Sequence, residues 1–145
     1  TGMVYGLERR VYAERTERLA DEFRMKERLN SFSAHLSKGM RQKMMIMNAF
    51  LAEPPLYIID EPFLGLDPLG IRSLLERLGQ VKASGSSILV STHILSTVEK
   101  YCDRFLVLHN GRLLAEGTPE QLAQTAGTDE AGLEEVFHRL VTGDL

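Results

Sequence analysis

Two adjacent carboxylates, Asp60 and Glu61, follow an apolar run that begins at Leu56. A proline, Pro62, comes directly after them. Such a run, bounded by prolines, is typical of a short buried parallel strand. Carboxylates at a strand end are costly unless a cation lies opposite them, and α/β sheets bind ligands at this edge. The pair therefore indicates a magnesium and phosphate site, although a solvated strand end is the alternative.

The two carboxylates have different predicted tasks. Asp60 would serve a magnesium ion, usually through water, while Glu61 would orient or deprotonate an attacking water. Because Pro62 follows it, Glu61 is predicted to keep an extended backbone as the strand ends.

A second candidate site is the segment Ser37-Lys38-Gly39, at the start of a predicted helix. A helix N-terminus offers free backbone N–H groups and the positive end of a dipole, which suit a phosphate. Gly39 would let the backbone approach closely, and the Ser37 hydroxyl could donate one more hydrogen bond. The alternative is that Ser37 is an ordinary N-cap.

Two further residues lie just beyond predicted strands. Asp67 belongs to the turn Gly65-Leu66-Asp67-Pro68, and His93 follows a second apolar strand. An imidazole beside a phosphate can hydrogen-bond the transferring group. The alternatives are that Asp67 only forms a turn and that His93 is structural.

The elements that must position these residues follow from hydrophobic periodicity and turn residues. Their order predicts an α/β fold in which residues 1–52 form a helical subdomain and residues 53–145 form the core. The predicted elements are an amphipathic helix over 8–29, a break at 30–35, a helix over 37–52, a strand at 56–60, a helix over 69–83, a strand at 87–91, a short helix over 94–102, strands at 104–109 and 112–116 about Asn110-Gly111, a capping box at Thr118 to Gln121, and a last helix over about 130–141.

Two of these helices carry apolar residues at helical spacing, which predicts their buried faces. In the second helix the residues are Met40, Met44, Met47 and Leu51, and in the last helix they are Leu133, Val136, Phe137 and Leu140.

Composition narrows the function classes. The formal net charge of −3 gives no electrostatic footprint for a nucleic-acid partner. The single cysteine, Cys102, excludes a disulfide within the chain and fits a reducing compartment. No apolar run approaches the roughly 20 residues that a membrane-spanning helix needs.

Taken in order, these motifs resemble those of an ATP-binding-cassette (ABC) ATPase, a P-loop NTPase-like fold. The resemblance covers essentially the whole chain, and the end, Leu133 to Phe137, is similar to the tail of bacterial exporter-type members. The segment Leu36–Met40 resembles the signature motif, Leu56–Asp60 the Walker B strand, Glu61 the catalytic glutamate, Gly65–Asp67 the D-loop and His93 the switch histidine.

The resemblance implies a subunit that hydrolyses ATP with Mg²⁺ to drive membrane transport, by export. It would be peripheral on the cytoplasmic face of the membrane, bound to an integral-membrane transporter subunit. Two ATPase subunits would dimerise around two nucleotides, with Asp60 holding Mg²⁺ through water and Glu61 and His93 as catalytic residues. The residues that would contact ATP across the dimer are Ser37, Gly39 and Asp67.

The chain departs from the family pattern in two places. Lys38 and Met40 replace a glycine and a glutamine of the signature Leu-Ser-Gly-Gly-Gln, and no G-x-x-x-x-G-K-[ST] occurs. The second departure predicts the C-terminal half of such an ATPase, without the Walker A strand and inactive alone. We therefore expect unpaired strand edges and exposed apolar surface.

Two rival functions stay open. One is a non-catalytic half-cassette that acts as a dimerisation or regulatory module. The other is a soluble ABC ATPase outside transport. Such ATPases carry tandem cassettes or long coiled-coil insertions, and the chain shows neither.

Overall fold

The structure, a computed structural model, describes residues 6–128 and 132–143. The described residues form two compact units, one ending at Thr92 and the other starting at His93. No helix in these residues combines the length and the apolar character that crossing a bilayer requires. The predicted subdomain boundary at residue 52 stays a prediction.

Both units combine helices with a pair of strands, which agrees with the predicted α/β class. The first unit contains helix α1 (Arg9–Glu22), helix α2 (Lys38–Phe50), strand β1 (Leu56–Asp60), helix α3 (Pro68–Ala83) and strand β2 (Ser87–Ser91). The second contains helix α4 (Leu95–Val98), strand β3 (Phe105–His109), strand β4 (Arg112–Gly117), helix α5 (Pro119–Thr125) and helix α6 (Leu133–Thr142).

Helix α1 is shorter than the predicted span of residues 8–29. It ends at Glu22, and Arg24 then adopts a left-handed backbone with φ +57°. The turn brings Phe23 and Met25 into the core together, with exposed fractions of 1% and 2%. In a continuous helix these two side chains would point in different directions. Burial of both therefore outweighs continuation of the helix.

Helix α2 starts at the predicted N-cap, Ser37, but its buried face is rotated from the prediction. Met47 and Leu51 are buried as expected, whereas Met40 and Met44 are half-buried. The ring of Phe50 packs 5.0 Å from that of Tyr57, centroid to centroid. This contact turns the helix toward β1, because a buried aromatic pair contributes more apolar area than a methionine.

Strands β1 and β2 are parallel, with Ile58 opposite Leu89 and Asp60 opposite Ser91. The prediction that both strands are buried is wrong for one face. Tyr57 is 4% exposed, but Ile58 is 73% exposed and Leu89 is 49% exposed. Parallel sheets are normally covered on both faces, and in the described residues this face is open. The expectation of exposed apolar surface is confirmed.

A charged network holds the link between α2 and β1. The carboxylate of Glu53 pairs with Arg15 at 2.6 Å, Arg18 at 2.7 Å and Arg77 at 3.3 Å. Arg77 is 5% exposed, and its guanidinium also lies 5.6 Å from the centre of the Phe50 ring. Glu53 itself has a left-handed backbone, with φ +46°. The network thus joins α1, α3 and the link through one strained residue.

The second unit is built on the predicted hairpin. Asn110 and Gly111 both have positive φ, +47° and +72°, as a two-residue hairpin turn requires. Helix α4 is shorter than the predicted span of residues 94–102. After Val98 the chain continues in tighter turns, in which the Tyr101 N–H donates to the Val98 carbonyl at 2.9 Å.

The core of the second unit is apolar. Thr118 and Gln121 form the predicted capping box that starts α5. Helix α6 begins at Leu133, and the start of the predicted span, at residues 130 and 131, lies outside the described residues. Phe137 and Leu140 pack against the buried cluster, as predicted. The cluster consists of Val107, Leu122, Ala123, Ala126, Leu133 and Val136.

Candidate functional site

Asp60 lies at the carboxyl end of β1, on the edge where the sequence predicts it. Ser91 is its partner in register on β2, and the Ser91 hydroxyl donates a hydrogen bond to Asp60 Oδ1. The Asp60 side chain is otherwise exposed to solvent. A serine on the neighbouring strand therefore orients this carboxylate while leaving it accessible to a cation.

Glu61 does not have the extended backbone that the following proline predicts. Its φ is +43°, in the left-handed region, which costs a residue other than glycine roughly 1–2 kcal/mol. The Glu61 N–H donates to the Ser91 carbonyl at 3.0 Å, and its own carbonyl accepts from the Leu64 N–H at 3.3 Å. These bonds reverse the chain directly after β1. Glu61 is half-buried, and its Oε2 atom is buried.

The start of α2 is exposed at Ser37 and Lys38. Ser37 Oγ accepts the Met40 N–H at 3.2 Å, so Ser37 is an N-cap. Accepting that bond does not use the hydroxyl hydrogen, so Ser37 can also donate to a phosphate oxygen. Ser37 can therefore cap the helix and hydrogen-bond a phosphate at the same time.

Gly39 has a structural reason to be glycine. A Cβ atom at Gly39 would lie 2.9 Å from the carbonyl oxygen of Gly65, closer than real Cβ contacts. Gly65 has φ +78°, which also favours glycine. These two glycines bring the start of α2 against the loop that follows β1, here called the acidic loop (residues 61–67).

Asp67 is the N-cap of α3. Its Oδ1 accepts the Gly70 N–H at 2.6 Å, and Lys43 Nζ lies 3.2 Å from both carboxylate oxygens. The hydrogen bond from Gly70 and the neighbouring ammonium hold the pKa of Asp67 below its usual range. Lys43 and Gly70 were missed by sequence reasoning. Lys43 lies one helical turn from Met40 and from Met47, so a lone charge within an apolar stripe was the available signal.

His93 is the first residue of the second unit and is exposed. It follows the end of β2 by two residues in the chain. Its predicted role stays a prediction, as do the roles of Ser37, Gly39, Asp60, Glu61 and Asp67.

The donor set suits an ion with few protein ligands. Among residues 6–128 and 132–143, no group of three or more His, Cys, Asp or Glu side chains could hold a metal ion. Mg²⁺ commonly takes one or two carboxylates and completes its shell with water and substrate phosphates. The accessible Asp60 carboxylate fits that role.

A family model described as "AAA domain, putative AbiEii toxin, Type IV TA system" matches residues 8–99, more than half of the chain. The ABC-type transporter ATP-binding protein EcsA of Bacillus subtilis (strain 168) is 54% identical over 144 residues, which cover 99% of this chain and 58% of that protein. Nod factor export ATP-binding protein I of Cupriavidus pinatubonensis (strain JMP 134 / LMG 1197) is 37% identical over 121 residues, covering 83% of this chain and 37% of that protein.

A solved structure described as "Structure of ATP binding subunit of ABC transporter" matches with a TM-score of 0.91 and 56% identity, over 97% of this chain and 58% of that one. The predicted fold class is confirmed by this likeness. The chain spans a little over half the length of EcsA and of this structure, at 58% of each.

Proposed function

Because the chain belongs to the AAA-domain family, and to the ABC ATPases by its likeness to their ATP-binding subunits, we propose that it is the C-terminal portion of a subunit that binds and hydrolyses ATP. In the proposal, hydrolysis drives export through a membrane transporter. The observation that carries it is the close approach of Gly39 to Gly65, which brings the start of α2 against the acidic loop.

Each predicted catalytic or metal-binding residue has one task in the proposed reaction. Asp60, oriented by Ser91, would hold Mg²⁺ through water, and the ion when bound would neutralise charge on the phosphates. Glu61 would accept a proton from the attacking water. His93 would hydrogen-bond an oxygen of the transferring γ-phosphate.

The residues at the start of α2 would act across a dimer. The Ser37 hydroxyl and the free backbone N–H groups near Gly39 would bind the nucleotide of a second ATPase subunit. Asp67 would lie at the same interface, since its side chain is 58% exposed even though it caps α3.

The proposed partners are therefore ATP, a second ATPase subunit and an integral-membrane transporter subunit, with the protein peripheral on the cytoplasmic face of the membrane. The names of two relatives, an ABC-type transporter ATP-binding protein and a Nod factor export ATP-binding protein, support transport and export. The chain contains no G-x-x-x-x-G-K-[ST], so residues 1–145 alone are expected to turn over ATP negligibly.

The test is Glu61→Gln in the full-length protein. Loss of a positioned general base is expected to lower kcat about 10²–10⁴-fold while ATP binding persists. The matched control is Glu76→Gln, since Glu76 is an exposed glutamate of α3 paired only one turn away with Arg72. Turnover should be measured by phosphate release and ATP binding by calorimetry.

Unchanged hydrolysis in Glu61→Gln would contradict the catalytic role. An absence of hydrolysis in the unmodified full-length protein, with nucleotide still bound, would favour the non-catalytic module. If the full-length protein hydrolyses ATP and no membrane subunit co-purifies with it, a soluble ABC ATPase would be favoured.

A further inference from the structure

We propose that Lys43 is a positioning residue that fixes the start of α2 against the acidic loop, an inference that rests on the proposed function. Lys43 has no assigned contact of its own with nucleotide or water, and it acts through its pair with Asp67. Its task is to hold two sets of residues that have such contacts in a fixed relation.

The first step is the burial of the Lys43 charge. The Lys43 side chain is 11% exposed, and its Nζ lies 3.2 Å from both oxygens of Asp67. An ammonium group removed from water is costly unless it is paired. The Asp67 carboxylate supplies that pairing, so a shift of α2 away from the acidic loop would leave a charge poorly solvated.

The second step is how closely the pair is packed. A Cβ atom at Gly70 would lie 2.8 Å from Lys43 Cε and 2.9 Å from Asp67 Oδ1. The lysine stem and the carboxylate thus rest against bare backbone in the first turn of α3. This tight packing limits the pair to one arrangement.

The third step is that α2 contacts the acidic loop twice along one face. Gly39 and Lys43 are four residues apart, which puts them one turn apart on the same side of the helix. Gly39 meets Gly65, and Lys43 meets Asp67. Two contacts fix both the position and the rotation of the helix start.

This arrangement has a consequence for the reaction. Under the proposed function, Glu61 serves the subunit's own nucleotide, whereas Ser37 and Gly39 serve the partner's nucleotide. Lys43 would therefore link the geometry of one site to that of the other. A misplacement of about 1 Å at a reacting centre can cost about 10²-fold in rate.

The experiment uses the full-length protein with Lys43→Met, which keeps the unbranched stem of the side chain and removes its charged end. We expect kcat to fall about 10–100-fold with KM for ATP little changed, because the fixed geometry matters in the reacting complex. Lys43→Arg, which retains a cation, should recover most of the rate. Arg10→Met is the control, because it removes an exposed pair with Glu14 on α1.

Asp67→Asn completes the test and also decides the outcome if Lys43→Met fails to fold. An asparagine oxygen can still cap α3, so the substitution removes chiefly the charge pair. If Lys43 acts through Asp67, the double variant should be no slower than the slower single variant. If Lys43→Met does not fold, the proposal requires that Asp67→Asn lower kcat with KM retained.

Three results would overturn the proposal: a folded Lys43→Met enzyme with full kcat, a loss in KM alone, or additive effects in the double variant. Failure of the proposed function looks different, since Glu61→Gln would then leave hydrolysis unchanged. In that case the Lys43 and Asp67 variants would still show coupled effects on urea unfolding.

Discussion

The two units of the chain keep their shape by different means. In the second unit, a cluster of purely apolar side chains lies beside the β3–β4 hairpin and a helix that starts with a complete capping box. Among the described residues of the first unit, two buried side chains are charged, Lys43 and Arg77, and each lies beside at least one carboxylate.

The two units also differ in which residue types adopt a strained backbone. In the first unit, Arg24, Glu53 and Glu61 adopt positive φ without being glycine. The corresponding residue of the second unit is Asn110, a type that tolerates this region in a hairpin turn. Strain and buried charge thus occur in the unit that carries Asp60, Glu61 and Asp67.

The largest effect of a single substitution on stability is expected in the second unit, with Leu122→Ala. Leu122 is 0% exposed in the apolar cluster, so truncation should lower the free energy of unfolding by about 2–5 kcal/mol. Leu113→Ala is the control, since Leu113 is 54% exposed on β4. Urea unfolding of both variants is the measurement, and equal losses would contradict an apolar core centred on Leu122.

A smaller loss is expected in the first unit, with Glu53→Gln. The change removes the nearer of two carboxylates from the buried Arg77 guanidinium, Glu53 at 3.3 Å, and leaves Glu22 at 3.8 Å, which should cost about 1–3 kcal/mol. The loss is limited because the Glu53 side chain is 35% exposed and Arg77 keeps Gln80 as a partner. Glu14→Gln, on an exposed pair, should change urea unfolding little. Equal effects of the two substitutions would show that the network adds nothing.

The smallest effect should appear as pH dependence. The folded-state pKa of Asp67 lies below its unfolded value, so its contribution to stability is present above the unfolded pKa. That contribution is lost as pH falls through the folded pKa. The urea midpoint of the natural chain should therefore decline more steeply below about pH 4 than that of Asp67→Asn. If the urea midpoints of the two proteins declined in parallel with falling pH, Asp67 would not contribute to stability through its charge.

Local signals in the sequence predict much of this fold. Prolines bound β1, Asn110-Gly111 forms the hairpin, and Thr118 to Gln121 caps α5, because each depends on residues adjacent in the chain. The order of the motifs also predicts the family.

The misses arise from contacts between distant residues. The pre-proline rule predicts an extended Glu61, but a hydrogen bond to Ser91, thirty residues later in the chain, accompanies the reversed backbone. Lys43 interrupts the apolar stripe of α2 in the sequence, but the stripe does not show that Asp67 is its partner. The Glu53 network likewise depends on the meeting of α1 with α3. Neither hydrophobic period nor turn chemistry contains this information.

The Glu53 network also bears on how long the folded state lasts. Its partners Arg18 and Arg77 are 35 and 24 residues away in the chain, so both loops must close before the contacts form. Contacts that form late in folding are absent from the transition state, and they slow unfolding without speeding folding. Loss of the Glu53 carboxylate should therefore raise the unfolding rate and leave the refolding rate nearly unchanged in stopped-flow measurements. The link between α2 and β1 would then contribute to the kinetic stability of the unit that carries the acidic loop.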